Sequence, residues 1–345
     1  MKYNEIRKNP EGVQMDFKDK IKYDRLCRVM ERNFKVTQLF AAYLSDFPRA
    51  ITKEMVDILC EDGETKKEDA IAALLCEILG LDFSASDEER AIIRGYIYPC
   101  VTMLDAERYK NDPYYKNVRI PNVTDGSWEL RREAYEPYRA VICDDLRVGE
   151  DLTEIPPLGF FPERFDFPAV LEGGNEWMTL TPVDMDTCRE AIDAAHGRVV
   201  TFGLGLGYYA YMAAMKDEVE SVTVVEKSAD VIRLFERYIF PYFPKKDKVK
   251  IVNADAFEFA ERVMPEEEFD YAFVDIWRDG SDGAVAYEKM KPLEALSPKT
   301  EFSYWIKNFI VSRIRALRYG EIAEREERGE LTESYDEVVR YLTDI

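Results

Sequence analysis

The chain has 345 residues, a net charge of −21, 46% hydrophobic and 13% aromatic side chains. That length allows two domains and that composition fills buried cores, which excludes a disordered or low-complexity protein. Sixty-eight acidic against 47 basic residues, with no basic cluster, exclude a nucleic-acid partner and favour a neutral or cationic small-molecule substrate, although much of the acidity reads as solvated surface.

The amino terminus, Met1-Lys-Tyr-Asn-Glu-Ile-Arg-Lys8, has no apolar stretch behind its charges, and no uninterrupted apolar run approaches the roughly 20 residues of a bilayer span. No membrane partner and no secretion are therefore expected. Six cysteines, at 27, 60, 76, 100, 143 and 188, are widely spaced without a C-x-x-C, as expected of reduced, buried thiols in a cytoplasmic protein. With a single histidine there is no zinc-like cluster, and no metal is expected.

Residues 16 to 110 read as helices. Arg25 to Phe34 and Lys53 to Leu59 repeat apolar positions at helical spacing, and Thr65 with Glu68 and Ser86 with Glu89 predict capping boxes. This segment carries no catalytic motif. It would bind substrate, cover a crevice, make a homodimer contact, or serve stability alone. Residues 111 to 150, rich in Tyr, Pro and Arg, read as connecting structure, with Val141–Asp145 a short strand. The division expected is a mainly helical part over 1–150, short strands and a hairpin over 151–181, and a ligand-binding α/β part over 182–345.

Leu158–Phe161 reads as another short strand. Phe167–Glu172 and Glu176–Leu180, joined by Gly-Gly-Asn, predict a hairpin, from which Trp177 and Met178 would line a pocket or fill a core. Thr181-Pro-Val-Asp-Met-Asp186 opens a helix, where Asp184 and Asp186 read first as acids favoured by the helix dipole. His196, before Gly197, reads as the C-terminal cap of that helical stretch, away from any crevice.

Arg198–Phe202 is a strand. Gly203-Leu-Gly-Leu-Gly207 follows as a tight turn, and Tyr208–Met215 as a helix. The first glycine permits the reversal, the second lets a ligand approach the backbone, and Gly207 lets the helix pack closely. Ser221–Val225 is an apolar strand ending at Glu226, 19 positions after Gly207. Lys248–Val252 is a third strand, followed by Asp255-Ala-Phe-Glu258, which is also a helix-capping pattern. Phe269–Val274 is a fourth, ending at Asp275. All four tips would border one crevice, the usual ligand site of an open α/β sheet. A dinucleotide fingerprint would need glycine at 208, where Tyr stands.

Gly203-Leu-Gly-Leu-Gly207, Glu226, Asp255 and Asp275, in this order and spacing, resemble the cofactor-binding half of the class I S-adenosylmethionine-dependent methyltransferase superfamily. Within it the run from Leu171-Glu-Gly-Gly174 to Val274-Asp275 is most similar to the spermidine-synthase-like branch. The resemblance implies an α/β fold with a doubly wound, mostly parallel, Rossmann-like sheet. It further implies S-adenosylmethionine as cofactor. Gly203, Gly205 and Gly207 would pass its methionine part and Glu226 would hold the ribose. Asp255 would read the adenine amino group, with Ala256 beside it. Asp275 would be the catalytic base or the acceptor that orients the nucleophile, or only a strand-tip carboxylate.

Two departures qualify the resemblance. Aminopropyltransferases of this branch carry Asp where Leu206 stands and a second Asp where Arg278 stands. Leucine at 206 would leave room for an amino-acid carboxylate, which favours unmodified S-adenosylmethionine. The expected function is thus methyl transfer to a small neutral or cationic acceptor. The alternatives are aminopropyl transfer and an inactive cofactor-binding scaffold on the same fold. Trp277–Gly283 reads as a polar loop at the crevice mouth. Beyond it only Glu301–Ile306 reads as a strand, so the sheet is expected to stop at about five strands. Asn308–Leu317 is an amphipathic helix, Glu321–Gly329 a charged tail, and Ser334 caps a last helix.

Overall fold

The computed structural model describes Met15 and residues 17–345, and the stretch Met1–Lys8 read above lies outside the described residues. Helix α1 (Phe17–Asp46) runs for 30 residues, and its two halves serve two cores. Val36, Phe40 and Tyr43 pack with Val56 of α2 (Lys53–Leu59) and with Ile71 and Leu75 of α3 (Lys67–Ile78). Tyr23, Leu26 and Met30 meet Ile322, Val338 and Leu342 from the other end of the described chain. Helix α4 (Asp87–Ile92) passes through a π turn (Ile93–Ile97) into α5 (Tyr98–Cys100). Ser86 caps α4, its hydroxyl accepting the Glu89 N–H at 3.0 Å, but the expected box stays half-formed, because the Glu89 carboxylate accepts the Asp82 N–H at 2.8 Å instead. The box expected at Thr65 does not form. Lys66 precedes α3, because Asp62 captures both the Thr65 hydroxyl, at 2.7 Å, and its N–H, at 2.9 Å; a carboxylate is the stronger acceptor.

The helical reading of 16–110 ends early, at strand β1 (Val101–Met103), before α6 (Ala106–Lys110) and α7 (Pro113–Asn117). Residues 111–150 are not mere connection. They supply β2 (Val123–Asp125), β3 (Trp128–Tyr135), β4 (Ala140–Ile142) and β5 (Arg147–Val148). Then follow β6 (Glu154–Ile155), β7 (Leu158–Phe160), β8 (Phe165–Glu172) and β9 (Asn175–Thr179). A four-stranded antiparallel sheet has the order β2-β3-β8-β9, a smaller sheet the order β1-β7-β4, and β5 pairs with β6. Strand β3 pairs with β8 from Trp128↔Glu172 to Tyr135↔Phe165. These pairings cross residue 150, where the expected division lay.

Helices α8 (Pro182–Thr187) and α9 (Arg189–Ala194) lead into a parallel βα succession. It comprises β10 (Gly197–Phe202), α10 (Tyr208–Met215), β11 (Val219–Glu226), α11 (Ala229–Tyr238), β12 (Val249–Asn253) and α12 (Ala256–Arg262). It continues with β13 (Tyr271–Val274), α13 (Gly280–Met290) and β14 (Glu301–Tyr304), and the chain closes with α14 (Lys307–Glu327) and α15 (Tyr335–Thr343). The five strands lie in the order β12-β11-β10-β13-β14, all parallel. Alternate residues bury both faces, as a parallel sheet requires. Val199, Val224 and Phe273 pack with Tyr209 of α10 and Phe235 of α11, whereas Val200, Phe202 and Val274 pack with Phe259 of α12, Tyr287 of α13 and Ile310 of α14. The result is a mixed α/β fold around a five-stranded parallel sheet.

Two further readings are corrected. Trp277–Gly283 is only partly loop, because Asp279 and Asp282 form a capping box that starts α13 at Gly280. Most of the charged stretch 321–329 is helix, since Ile322, buried against Tyr23 and Leu342, gives α14 a reason to continue to Glu327. A polar seam joins α1, β6 and α14. Asn33 Nδ2 donates to the Leu152 carbonyl at 2.8 Å, and its Oδ1 accepts the Tyr96 hydroxyl at 2.8 Å and the Glu154 N–H at 3.0 Å. Glu154 in turn accepts the Ser312 hydroxyl at 2.6 Å and pairs with the buried Arg315 guanidinium.

Candidate functional site

The turn after β10 is built by backbone that only glycine adopts easily. Gly203 and Gly205 have φ of +96° and +52°. A methyl group on Gly203 would strike the Asp275 carbonyl oxygen, and one on Gly205 the Met178 sulfur. The turn is therefore pressed against the end of β13 on one side and the β8-β9 hairpin on the other. Gly207 is the left-handed residue before α10, packed close to Phe235 and Phe243.

At the tip of β11, Glu226 is buried and ties this turn in place. Its Oε2 accepts the Leu204 N–H at 3.1 Å and its Oε1 the Ser228 N–H at 2.7 Å. An ionised carboxylate has about four acceptor positions, so capacity for ligand hydroxyls remains. Past β12, Asp255 caps α12 by accepting the Phe257 and Glu258 N–H groups at 3.0 and 3.3 Å, and Lys227 pairs with it at 3.3 Å. Burial alone would raise the Asp255 carboxyl, but those N–H groups and the ammonium bring it below the ordinary range. The capping role read from the sequence and a place at the cavity are thus compatible in one side chain.

Past β13 the electrostatics reverse. The Asp275 N–H donates to the Phe202 carbonyl at 2.8 Å, but among the described residues its carboxylate has no hydrogen-bond partner. Its remaining exposure is to the cavity. Burial pushes this carboxyl well above its ordinary range, and the nearby charges of Asp184 and Glu226 push it further. Asp184, in the first turn of α8, is pushed up to about 6 by burial, although its Oδ2 accepts the Thr181 N–H and hydroxyl at 2.7 and 2.8 Å.

These groups surround one cavity of about 510 Å³, within the range of small-molecule sites. Gly203, Gly205 and Asp275 stand at its middle. Glu226, Asp255, Ala256 and Phe257 bound the β11-β12 side, Asp184, Trp277 and Trp305 the β13-β14 side, and Glu176, Trp177 and Met178 reach in from β9. Every candidate residue except Gly207 reaches the lining, and Trp177 and Met178 line it too. Other readings part from it. Asp186 is drawn away by Arg108, Arg189 and the Tyr109 hydroxyl. His196 lies exposed before β10, its ring against the Ala194 carbonyl at 2.9 Å. Leu206 is fully buried in the core and does not face the cavity, so leucine there opens no space for a carboxylate. Trp305 escaped the sequence reading, since it joins the lining only because β14 pairs with β13.

No family model and no curated protein matches the chain. Among solved structures it is similar to the spermidine synthase from Thermotoga maritima, with 17% identity, 45% of this chain and 59% of that one covered, and a TM-score of 0.30. It is also similar to a spermidine synthase in complex with the transition-state analogue AdoDATO, with 18% identity, 45% and 58% covered, and a TM-score of 0.31. The matched part spans under two thirds of either solved chain's own length.

Proposed function

We propose that the cavity binds an adenosyl sulfonium of the S-adenosylmethionine type, and that the protein transfers a methyl group from it to a small neutral or cationic acceptor. One observation carries this reading. Glu226 is fixed to the glycine turn at the tip of the second strand of the sheet, with Asp255 and Ala256 at the tip of the next, all in one cavity. That arrangement fits a nucleoside, with hydroxyls toward Glu226, a base edge toward Asp255 and Ala256, and a sulfonium arm over Gly203 and Gly205. The donor supplies an electrophilic carbon with a good leaving thioether. What the chain must add is chiefly alignment, so the lack of a histidine in the site is no obstacle. Asp275, at the tip of β13 beside the glycine turn, is the residue to which we assign the removal of a proton from the acceptor or its orientation.

A second reading, aminopropyl transfer from the decarboxylated donor, is favoured by a separate observation. The lining holds Glu176, Asp184, Glu226, Asp255, Asp275 and Asp282 against only Lys227 and Arg278, a poor setting for a donor carboxylate. Calorimetry with S-adenosylmethionine, its decarboxylated form and S-adenosylhomocysteine tests both readings. Binding of the first and third supports methyl transfer. Binding of the decarboxylated form alone moves the assignment to aminopropyl transfer, and no binding of any of the three removes the donor site altogether.

A further inference from the structure

Trp305 lines the cavity from the joint between β14 and α14, and that joint is strained. Three non-glycine residues among those described have positive φ, and Ile306, at φ +44°, is the β-branched one. A left-handed backbone crowds a side chain branched at Cβ, so it persists only where its neighbours impose it. Ile306 is held from both sides. Before it, the Trp305 N–H donates to the Val274 carbonyl at 3.0 Å, tying the end of β14 to β13. After it, the Asn308 and Phe309 N–H groups, in the first turn of α14, donate to the Asp145 carboxylate at 2.9 and 3.1 Å. Ile306 itself offers the helix no capping oxygen.

Asp145 lies between β4 and β5, 163 residues before Asn308. The neighbouring Leu146 carbonyl accepts the Asn308 Nδ2–H at 2.9 Å, so two residues of that link grip the first turn of α14. Strand β4 pairs with β7 and not with the parallel sheet, and its Ala140 packs with Val36 and Phe40 of α1. The grip therefore joins the N-terminal helices to the sheet that carries the cavity. Only Ile306 and Lys307 separate the two fixed N–H groups of Trp305 and Asn308, so the change from strand to helix falls on Ile306. It leaves the Trp305 ring against α8, where Nε1 donates to the Thr187 hydroxyl at 2.7 Å.

We propose that Asp145 is a positioning residue for the cavity: by holding the first turn of α14 it imposes the left-handed backbone at Ile306 and so keeps the Trp305 indole in the lining. Among the described residues none before Glu176 lines the cavity, so this gives the earlier part of the chain a role in the site that it exerts from a distance. The inference rests on the donor reading only in taking this cavity as the site of function.

The test uses the whole protein without ligand. Nitrogen-15 spectra carry one indole N–H signal from each of the four tryptophans, and Trp305→Phe, Trp177→Phe and Trp128→Phe assign three of them. In Asp145→Ala the Trp305 signal is expected to shift and its N–H to exchange with solvent about tenfold faster as the bond to Thr187 loosens, while the Trp128 and Trp177 signals stay in place. Asp145→Asn, which keeps an oxygen for the Phe309 N–H, is expected to retain the wild-type Trp305 signal. Asn308→Ala, which removes only the side-chain bond to Leu146, is expected to move that signal by less, and it stands in should Asp145→Ala fail to fold. An unmoved Trp305 signal in either folded alanine variant, equal movement of all three assigned signals, or no recovery in Asp145→Asn each overturns the proposal. S-adenosylhomocysteine is titrated separately into the wild type, so a failed donor site is not mistaken for a failed positioning role.

Discussion

Glu154 and Asp275 are both enclosed acids, yet among the described residues the carboxylate of one has hydrogen-bond partners and that of the other has none. In the seam Glu154 meets Arg315 and Ser312, and Asn33 receives the Glu154 N–H, so charge and hydrogen-bonding capacity are matched within the protein. In the cavity the Asp275 carboxylate has no hydrogen-bond partner among the described residues, and the charges near it are those of Asp184 and Glu226. A matched buried charge fixes how elements dock, whereas an unmatched one costs stability and leaves a place for a ligand.

The comparison is broken most severely by removing one partner of the matched pair. Arg315→Ala is expected to cost about 3–5 kcal/mol in urea denaturation by leaving Glu154 unpaired, while Arg315→Met combined with Glu154→Leu recovers most of that loss. In the cavity the opposite sign applies. Asp184 is raised from 3.8 to about 6 on folding, so the folded state holds the proton that the unfolded state releases. Stability attributable to this group is therefore full below about pH 4 and falls as pH rises toward 6. Asp184→Asn, which keeps an acceptor for Thr181, is expected to flatten that fall, recovering at most about 3 kcal/mol at neutral pH, as followed by melting temperature against pH.

Glu226→Ala is expected to weaken adenosyl-donor binding by about 1–3 kcal/mol in calorimetry. An unchanged affinity would remove Glu226 from the site. The smallest effect lies at the N-terminus of α15. Ser334→Ala, which deletes the capping box of α15, is expected to cost about 1 kcal/mol with no change in ligand affinity.

The parallel sheet and its side of the site were legible because strands buried on both faces are continuous apolar runs, and because Gly203, Gly205, Glu226, Asp255 and Asp275 each end or follow such a run. The antiparallel sheet was not. Strand β3 carries Glu129, Arg131, Arg132 and Glu133 on an eight-residue segment, and its reason to be extended is β8, some 40 positions away. One local signal was available. Gly126-Ser127, with Gly126 at φ +68°, joins β2 to β3, and a two-residue loop that opens with glycine marks a hairpin. The place of Trp305 in the lining depends on a pairing of the same long-range kind. Trp177 and Trp277 stood in segments already tied to the crevice, but Trp305 needed β14 to be placed.

Helix α1 also bears on how the chain reaches its fold. The Tyr23 hydroxyl meets Glu326 across 303 residues, so the first half of α1 completes its packing only once the chain is made past Leu342. Closure of that contact belongs among the last and slowest events of maturation, with the loop-closing entropy it entails. Until Ile322, Val338 and Leu342 are in place, Leu26 and Met30 lack the apolar side chains that cover them in the fold.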